Sequence, residues 1–334
     1  MVGGEVSAPR RLCAACAAVL LGACAAGAPD TKPRELGDSA PDAILVPWMS
    51  VDGARVAMAA DATGAPRLAA GPLTYHRFVH VASAAIFGSD LYVADSGAAA
   101  VFRMDLDSQV MTRVPAVAAN LGTRLLVGED YSLYVLDTLS RRVLRFARSG
   151  RLLATYAAGL DLASPVSVAV QEPGGAVYVA DGLQQQIVAF HPLGGGARVI
   201  ALRGAARNPV RSIAALAAGR DALYASDPAC GCIARVAWDG TVLGTFGHGL
   251  LAQPGPIAAD RFGRIYVADA FQRSLHVFVE GRLVRTWGAA AFGLDRLDDV
   301  KIAGESIALV DGQRAQVVLQ RVLPPPARGA RGSP

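Results

Sequence analysis

Aromatic residues are scarce in this chain, at 6% of 334 positions, and it has only five histidines and five cysteines. Charge of one sign does not accumulate either: the formal net charge is +4, spread along the length. Nucleic-acid binding draws on a concentrated basic face, so no nucleic-acid partner is expected. Beyond the N-terminus no apolar window is long enough for a bilayer-spanning helix, and the body is expected to be water-soluble. There is no serine nucleophile elbow and no phosphate-cradling glycine loop; Gly194-Gly195-Gly196 reads as a flexible turn.

What the chain does have is 52% hydrophobic residues with 36 glycines and 19 prolines, the composition of many short strands joined by tight turns. Its first residues read as an address. Arg10 and Arg11 form a positive region, and the apolar run from Leu12 to Gly22 is too short to span a membrane. The run ends Leu21-Gly22-Ala23-Cys24, which resembles the bacterial lipobox. That resemblance implies cleavage after residue 23 and acylation of Cys24, giving a firm hold on a membrane through two or three acyl chains. Ala25 after the cysteine, where retained lipoproteins carry aspartate, favours the outer membrane by the same resemblance. Residues 24–42 have the composition of a flexible tether, and 324–334, opening on Pro324-Pro325-Pro326, that of a disordered tail.

Internal similarity decides the expected fold. An apolar run ending in aspartate recurs six times, closing on Asp95, Asp137, Asp181, Asp227, Asp269 and Asp311, at intervals of 42, 44, 46, 42 and 42 residues. A second apolar run starts six residues after each aspartate, at Val101, Val143, Ile187, Ile233, Leu275 and Val317. The gap is constant while the longer loops drift, as expected when a tight turn joins paired strands. In the fifth unit four strands can be read, over 256–260, 265–269, 275–278 and 283–287. Four antiparallel strands in about forty residues, repeated, make the blades of a β-propeller.

The Tyr-Val-Ala-Asp run with its polar turn and Val/Ile-x-x-Phe strand resembles the NHL repeat over residues 78–323. The expectation is therefore an all-β, six-bladed propeller across 43–323. The sixth unit lacks a fourth strand, which either 43–48 or 55–59 is expected to supply, closing the ring and removing two open edges.

The six aspartates sit where a side chain accepts backbone N–H groups and fixes a turn, so a structural role is expected of them. Tyr92, Tyr134, Tyr178, Tyr224 and Tyr266 are expected to pack between blades. Asymmetric residues carry more information. Those just before each innermost strand, where NHL-type propellers open into a funnel, are His80, Thr123, Ser167, Arg211, Pro256 and Asp299, with Asp298 adjacent. His80, Arg211, Asp298 and Asp299 are the candidate site for a small anionic or zwitterionic ligand.

Enzymes that share the six-bladed plan hold zinc or calcium on converging axial ligands. Of His76, His80, His191, His248 and His276, only His80 falls at an inner-strand start, so no metal, cofactor or catalytic residue is expected. Once the leader is removed and Cys24 acylated, Cys230 and Cys232 remain, in a position to form a disulfide in an oxidising compartment, for stapling or for redox use. The function expected is a membrane-anchored scaffold of the envelope that docks a protein, peptide or glycan. The alternative is a metal-dependent hydrolase or lyase working on a small ester, lactone or peptide at the funnel.

Overall fold

The computed structural model describes residues 43–56, 74–115, 117–157, 162–204 and 210–326. The leader 1–23, Cys24, the tether 24–42 and the tail from 327 onward lie outside them.

The fold is a six-bladed β-propeller. In the fifth blade, strands Pro254–Ala259, Arg264–Asp269, Ser274–Val279 and Arg282–Gly288 pair antiparallel in chain order, close to the spans read from sequence. The innermost strands, Val81–Phe87, Arg124–Val127, Pro165–Val170, Ala215–Ala218, Pro254–Ala259 and Asp299–Ala303, touch one another in turn around a closed ring.

An N-terminal strand closes that ring. Leu45–Val51 pairs antiparallel with Gln316–Val322, Leu45 opposite Val322 and Val51 opposite Val317, as the outer strand of the sixth blade. Of the two segments the sequence offered, the one beginning at 43 takes this place. Arg55 belongs instead to Gly53–Val56, which runs parallel to Val110–Arg113, the outer strand of the first blade. Thr74–Arg77 pairs with it on the far side, so the first sheet has six strands and its rim is covered.

Each blade presses both faces on its neighbours, which is why the second strands are buried at nearly every position. Six apolar clusters fill the six seams. Tyr92 meets Leu125 and Val135 of the second blade, Tyr134 meets Val168 and Val177 of the third, and Tyr178 meets Leu216 and Leu223 of the fourth. Tyr266 meets Val300 and Ile307 of the sixth. At the seam between sixth and first blades the equivalent residue is Ala308, and the N-terminal residues Val51, Ala54 and Phe78 join the cluster.

Two faces result. Every first strand starts, and every second strand ends, on what we term the upper face. Turns between first and second strands and between third and fourth lie on the lower face. Residue 44 and Leu323, hydrogen-bonded to each other at 2.9 Å, are also on the lower face.

Candidate functional site

The upper face is organised by the recurring aspartates. The Asp95 carboxylate accepts four backbone N–H groups: Val79 and His80 from the loop leading into its blade, and Gly97 and Ala98 from the turn that follows. Asp181, Asp227, Asp269 and Asp311 likewise accept from both segments. These five are buried, and each ties the loop ahead of its blade to the turn inside it. Asp137 differs: among the described residues it accepts only the Ser140 amide, and it lies beside Arg142. In that blade Asn120 makes the tie, receiving the Gly122 amide and the Thr138 hydroxyl.

The residue four places after each aspartate has a left-handed backbone: Ala99, Arg141, Gln185, Gly231, Arg273 and Ala315, with φ from 48° to 59°. All six turns therefore share one conformation whatever side chains they carry.

Of the proposed funnel residues, Asp299 is buried and engaged. Its carboxylate accepts the Ser83 hydroxyl at 2.5 Å and the Lys301 ammonium at 2.5 Å. Ser83 in turn accepts the Leu125 amide, so one hydroxyl links the inner strands of the sixth, first and second blades. Ser167 does the same for the third and fourth, accepting the Leu216 amide. Asp298 accepts from Arg296 at 2.6 Å and from the Gly312 amide at 2.8 Å. His80 stands close to it: a side chain on Gly312 would touch both His80 Cε1 and Asp298 Oδ2. Arg211 is exposed on the fourth blade, across the ring, and no contact joins it to the other three.

His80 also edges a shallow cleft of about 550 Å³ between the first and second blades, with Ser96, Gly97, Asn120, Leu121 and Leu139. Sequence reading missed Ser83 and Lys301. The signal for Ser83 was a lone polar residue inside an otherwise apolar inner strand, and that for Lys301 a second charge two places after Asp299.

Cys230 and Cys232 are disulfide-bonded in the turn of the fourth blade. A ring nitrogen of His248 and the two sulfurs all lie within 4.8 Å of one another. Among the described residues this is the one cluster of His, Cys and carboxylate groups close enough to hold a metal, and it is not on the innermost strands.

The tips of the upper turns are the other unusual feature. Two places after the aspartate stand Leu139, Leu183 and Phe271, exposed by 79%, 72% and 77%. The same place holds Gly97, Ala229 and Gln313 in the remaining blades. Val79, Leu121 and Leu250 are also exposed on this face. Between them lie the exposed Arg141, Arg211 and Arg273, which pair with no carboxylate among the described residues.

Among the described residues, ion pairs that join neighbouring blades lie on the lower face. Asp90 holds Arg103 of its own blade and Arg148 of the next. Asp130 pairs with Arg145, Asp221 with Arg235, and Arg261 with Glu305 across the fifth and sixth blades. Buried Asp260 and Arg264 pair at 2.5 Å, the Tyr266 hydroxyl donates to the same carboxylate, and Arg264 also reaches the Leu323 carbonyl. Leu193 is exposed here, while Tyr131 lies under Arg148 and edge-on to Phe87.

The chain matches no family model, and no curated protein matches it in sequence. Its structure is similar to solved propellers. Virginiamycin B lyase from Staphylococcus aureus superposes with a TM-score of 0.54 at 11% identity, over 73% of this chain and 95% of that one. A structural-genomics protein from Bacteroides thetaiotaomicron gives 0.57 at 14%, over 76% and 72%. The WD40 propeller domain of Doa1 gives 0.54 at 14%, over 84% and 90%. The likeness is one of fold. At these identities it carries no chemistry from one protein to another.

Proposed function

We propose that this protein is a lipid-anchored NHL-type scaffold of the bacterial envelope whose upper face captures a partner protein. The observation that carries the reading is the set of exposed Leu139, Leu183 and Phe271 at turn positions where the same fold accepts Gly97, Ala229 and Gln313. The turn does not require apolar side chains there, and exposing them to water gains the fold nothing. Exposed apolar side chains gathered on one face of the disc support an interaction site there.

The interleaved Arg141, Arg211 and Arg273 define the partner's chemistry as a protein segment that presents apolar side chains flanked by carboxylates. Attachment supports the same face. A lipid on Cys24 would connect to the ring through residue 43, at the lower face, so the tether does not enter the ring on the upper side. The enzymatic alternative at the funnel has less to work with, because the axial carboxylate of Asp299 is already engaged by Ser83 and Lys301.

The test is affinity capture from native membranes with the unaltered chain, a Leu139→Ser/Leu183→Ser/Phe271→Ser variant, and a lower-face control, Leu193→Ser. A partner retained by the control, lost from the triple variant and released by salt is expected. A partner held equally by all three overturns the upper-face assignment. Anchoring is tested separately by Cys24→Ala, which should move the protein from the membrane to the soluble fraction; an unchanged distribution removes the lipid from the account.

A further inference from the structure

Five of the six upper turns form without cysteine, so the bond in the fourth blade answers to something other than the turn. The positions of Cys230 and Cys232 are filled elsewhere by Ala98 and Ala100, Ser140 and Arg142, Gln184 and Gln186, Gln272 and Ser274, and Arg314 and Gln316. In the fourth blade itself the Asp227 carboxylate already holds the Ala229 and Cys230 amides at 2.9 and 3.3 Å. A disulfide closing so few residues also removes little freedom from the unfolded chain. As a staple it is redundant.

The loop before the fifth blade then becomes informative. Two backbone amides of that loop, Ala252 and Gln253, are held by Asp269. His248 lies between Gly247 and Gly249, both with left-handed backbone, and its imidazole is exposed. The loop reaches the cysteine turn because Gly231 has no side chain: a Cβ there would come within 2.6 Å of the Leu251 carbonyl. Positive φ does not explain that glycine, since Ala99 and Ala315 take the same conformation in their turns. The close approach of Leu251 does, and it brings His248 beside the two sulfurs.

We propose that Cys230, Cys232 and His248 form a redox-gated site for a thiophilic d10 metal ion, of which Zn²⁺ is the representative. In the oxidised state the sulfurs are bonded to each other and cannot ligate. A dithiol reductant opens the bond by exchange: it gives two electrons and two protons, leaves as its own disulfide, and the chain gains two thiols. The metal then displaces both thiol protons and binds two thiolates and one imidazole nitrogen, with the fourth position open. Zinc bonds of about 2.3 Å to sulfur and 2.0 Å to nitrogen suit donors gathered this closely. The exposed His248 side chain and χ1 rotation of the cysteines supply the small adjustment, with the Cα atoms 5.2 Å apart.

The experiment uses the full chain with Cys13, Cys16 and Cys24 replaced by serine, so that only the pair in question can respond. Zn²⁺ is titrated against a chromophoric chelator, with and without a phosphine reductant, and Co²⁺ is added in parallel as a spectroscopic probe of thiolate ligation. One metal per reduced chain and none per oxidised chain is expected. Cys230→Ser/Cys232→Ser should abolish binding, while His248→Ala and Gly231→Ala should each weaken it roughly tenfold or more. Circular dichroism of the variants should match that of the parent, since the turn stands without the bond. Equal binding in both redox states, no effect of His248→Ala, or a disulfide that excess phosphine leaves closed would each overturn the proposal. The outcome is independent of whether the upper face docks a partner.

Discussion

The two faces of the disc are built from the same repeat and follow opposite rules. On the lower face, carboxylates and guanidinium groups are matched within and between blades, from Asp90 with Arg103 and Arg148 to Asp260 with Arg264. On the upper face, five of the six corner carboxylates are turned inward onto backbone amides, and the ion pairs there, Asp137 with Arg142, Asp298 with Arg296 and Asp295 with Arg314, do not cross from one blade to the next. One face therefore uses its charged side chains to hold blades together. The other ties the loop ahead of a blade to the turn inside it through main-chain amides.

Substitutions can break this contrast, beginning with the largest effect. Asp260→Ala strands a buried guanidinium and removes the acceptor of the Tyr266 hydroxyl, so a loss of about 3–5 kcal/mol is expected by urea denaturation. Asp95→Ala leaves four backbone amides without their acceptor and should cost about 2–3 kcal/mol. Asp137→Ala, at the equivalent corner, should cost under about 1 kcal/mol, because a single amide depends on it. Equal losses at Asp95 and Asp137 would show that the corner aspartates act through something other than those amides. Smallest of all, Leu139→Ser, Leu183→Ser or Phe271→Ser should each change stability by no more than about 0.5 kcal/mol. A larger loss from any of them would mean that the tips serve the fold after all.

A pH titration sharpens the same distinction between groups that hold the fold and groups that face outward. His276 is buried in the third strand of the fifth blade, its ring nitrogens 2.8 Å from Ser274 Oγ and 3.0 Å from Thr286 Oγ1. Burial holds its pKa below the ordinary value of 6.5. The unfolded chain then binds more protons than the native one as pH drops, so this contribution to stability is complete above 6.5 and is lost as pH falls toward the lowered native value. Denaturation midpoints should decline over that window, and His276→Asn should flatten the decline. A midpoint that rises as pH falls would contradict the buried, neutral imidazole.

The blades were legible because their signal is repeated. Six aspartates at a constant distance from the next apolar run report a turn with a left-handed residue at the same place in each copy, and the tyrosines report the seams between copies. The closing strand was legible only as a need, since a sixth unit without a fourth strand requires a donor. Choosing 45–51 over 53–56 depended on register with Gln316–Val322 and on the edge that Gly53–Val56 covers instead. The proposed ligand set fared differently. His80 and Asp298 are neighbours, Asp299 is turned into an inter-blade bridge, and Arg211 stands three blades from His80 and two from the aspartates. Aligning units places residues at one height along the axis. It does not say which blades stand next to each other's side chains, or which charges are already paired.

By itself, then, the sequence determined the repeat, the number of blades and the aspartate corner that shapes five of the six upper turns, because these depend on local spacing and on a pattern of burial read six times over. Only the tertiary structure decided that ion pairs join neighbouring blades on the lower face, and that His248 meets Cys230 and Cys232. Those facts arise from contacts between segments of different blades, whose meeting is set by ring geometry and by close approaches such as Gly231 against Leu251, for which the linear order holds no signal.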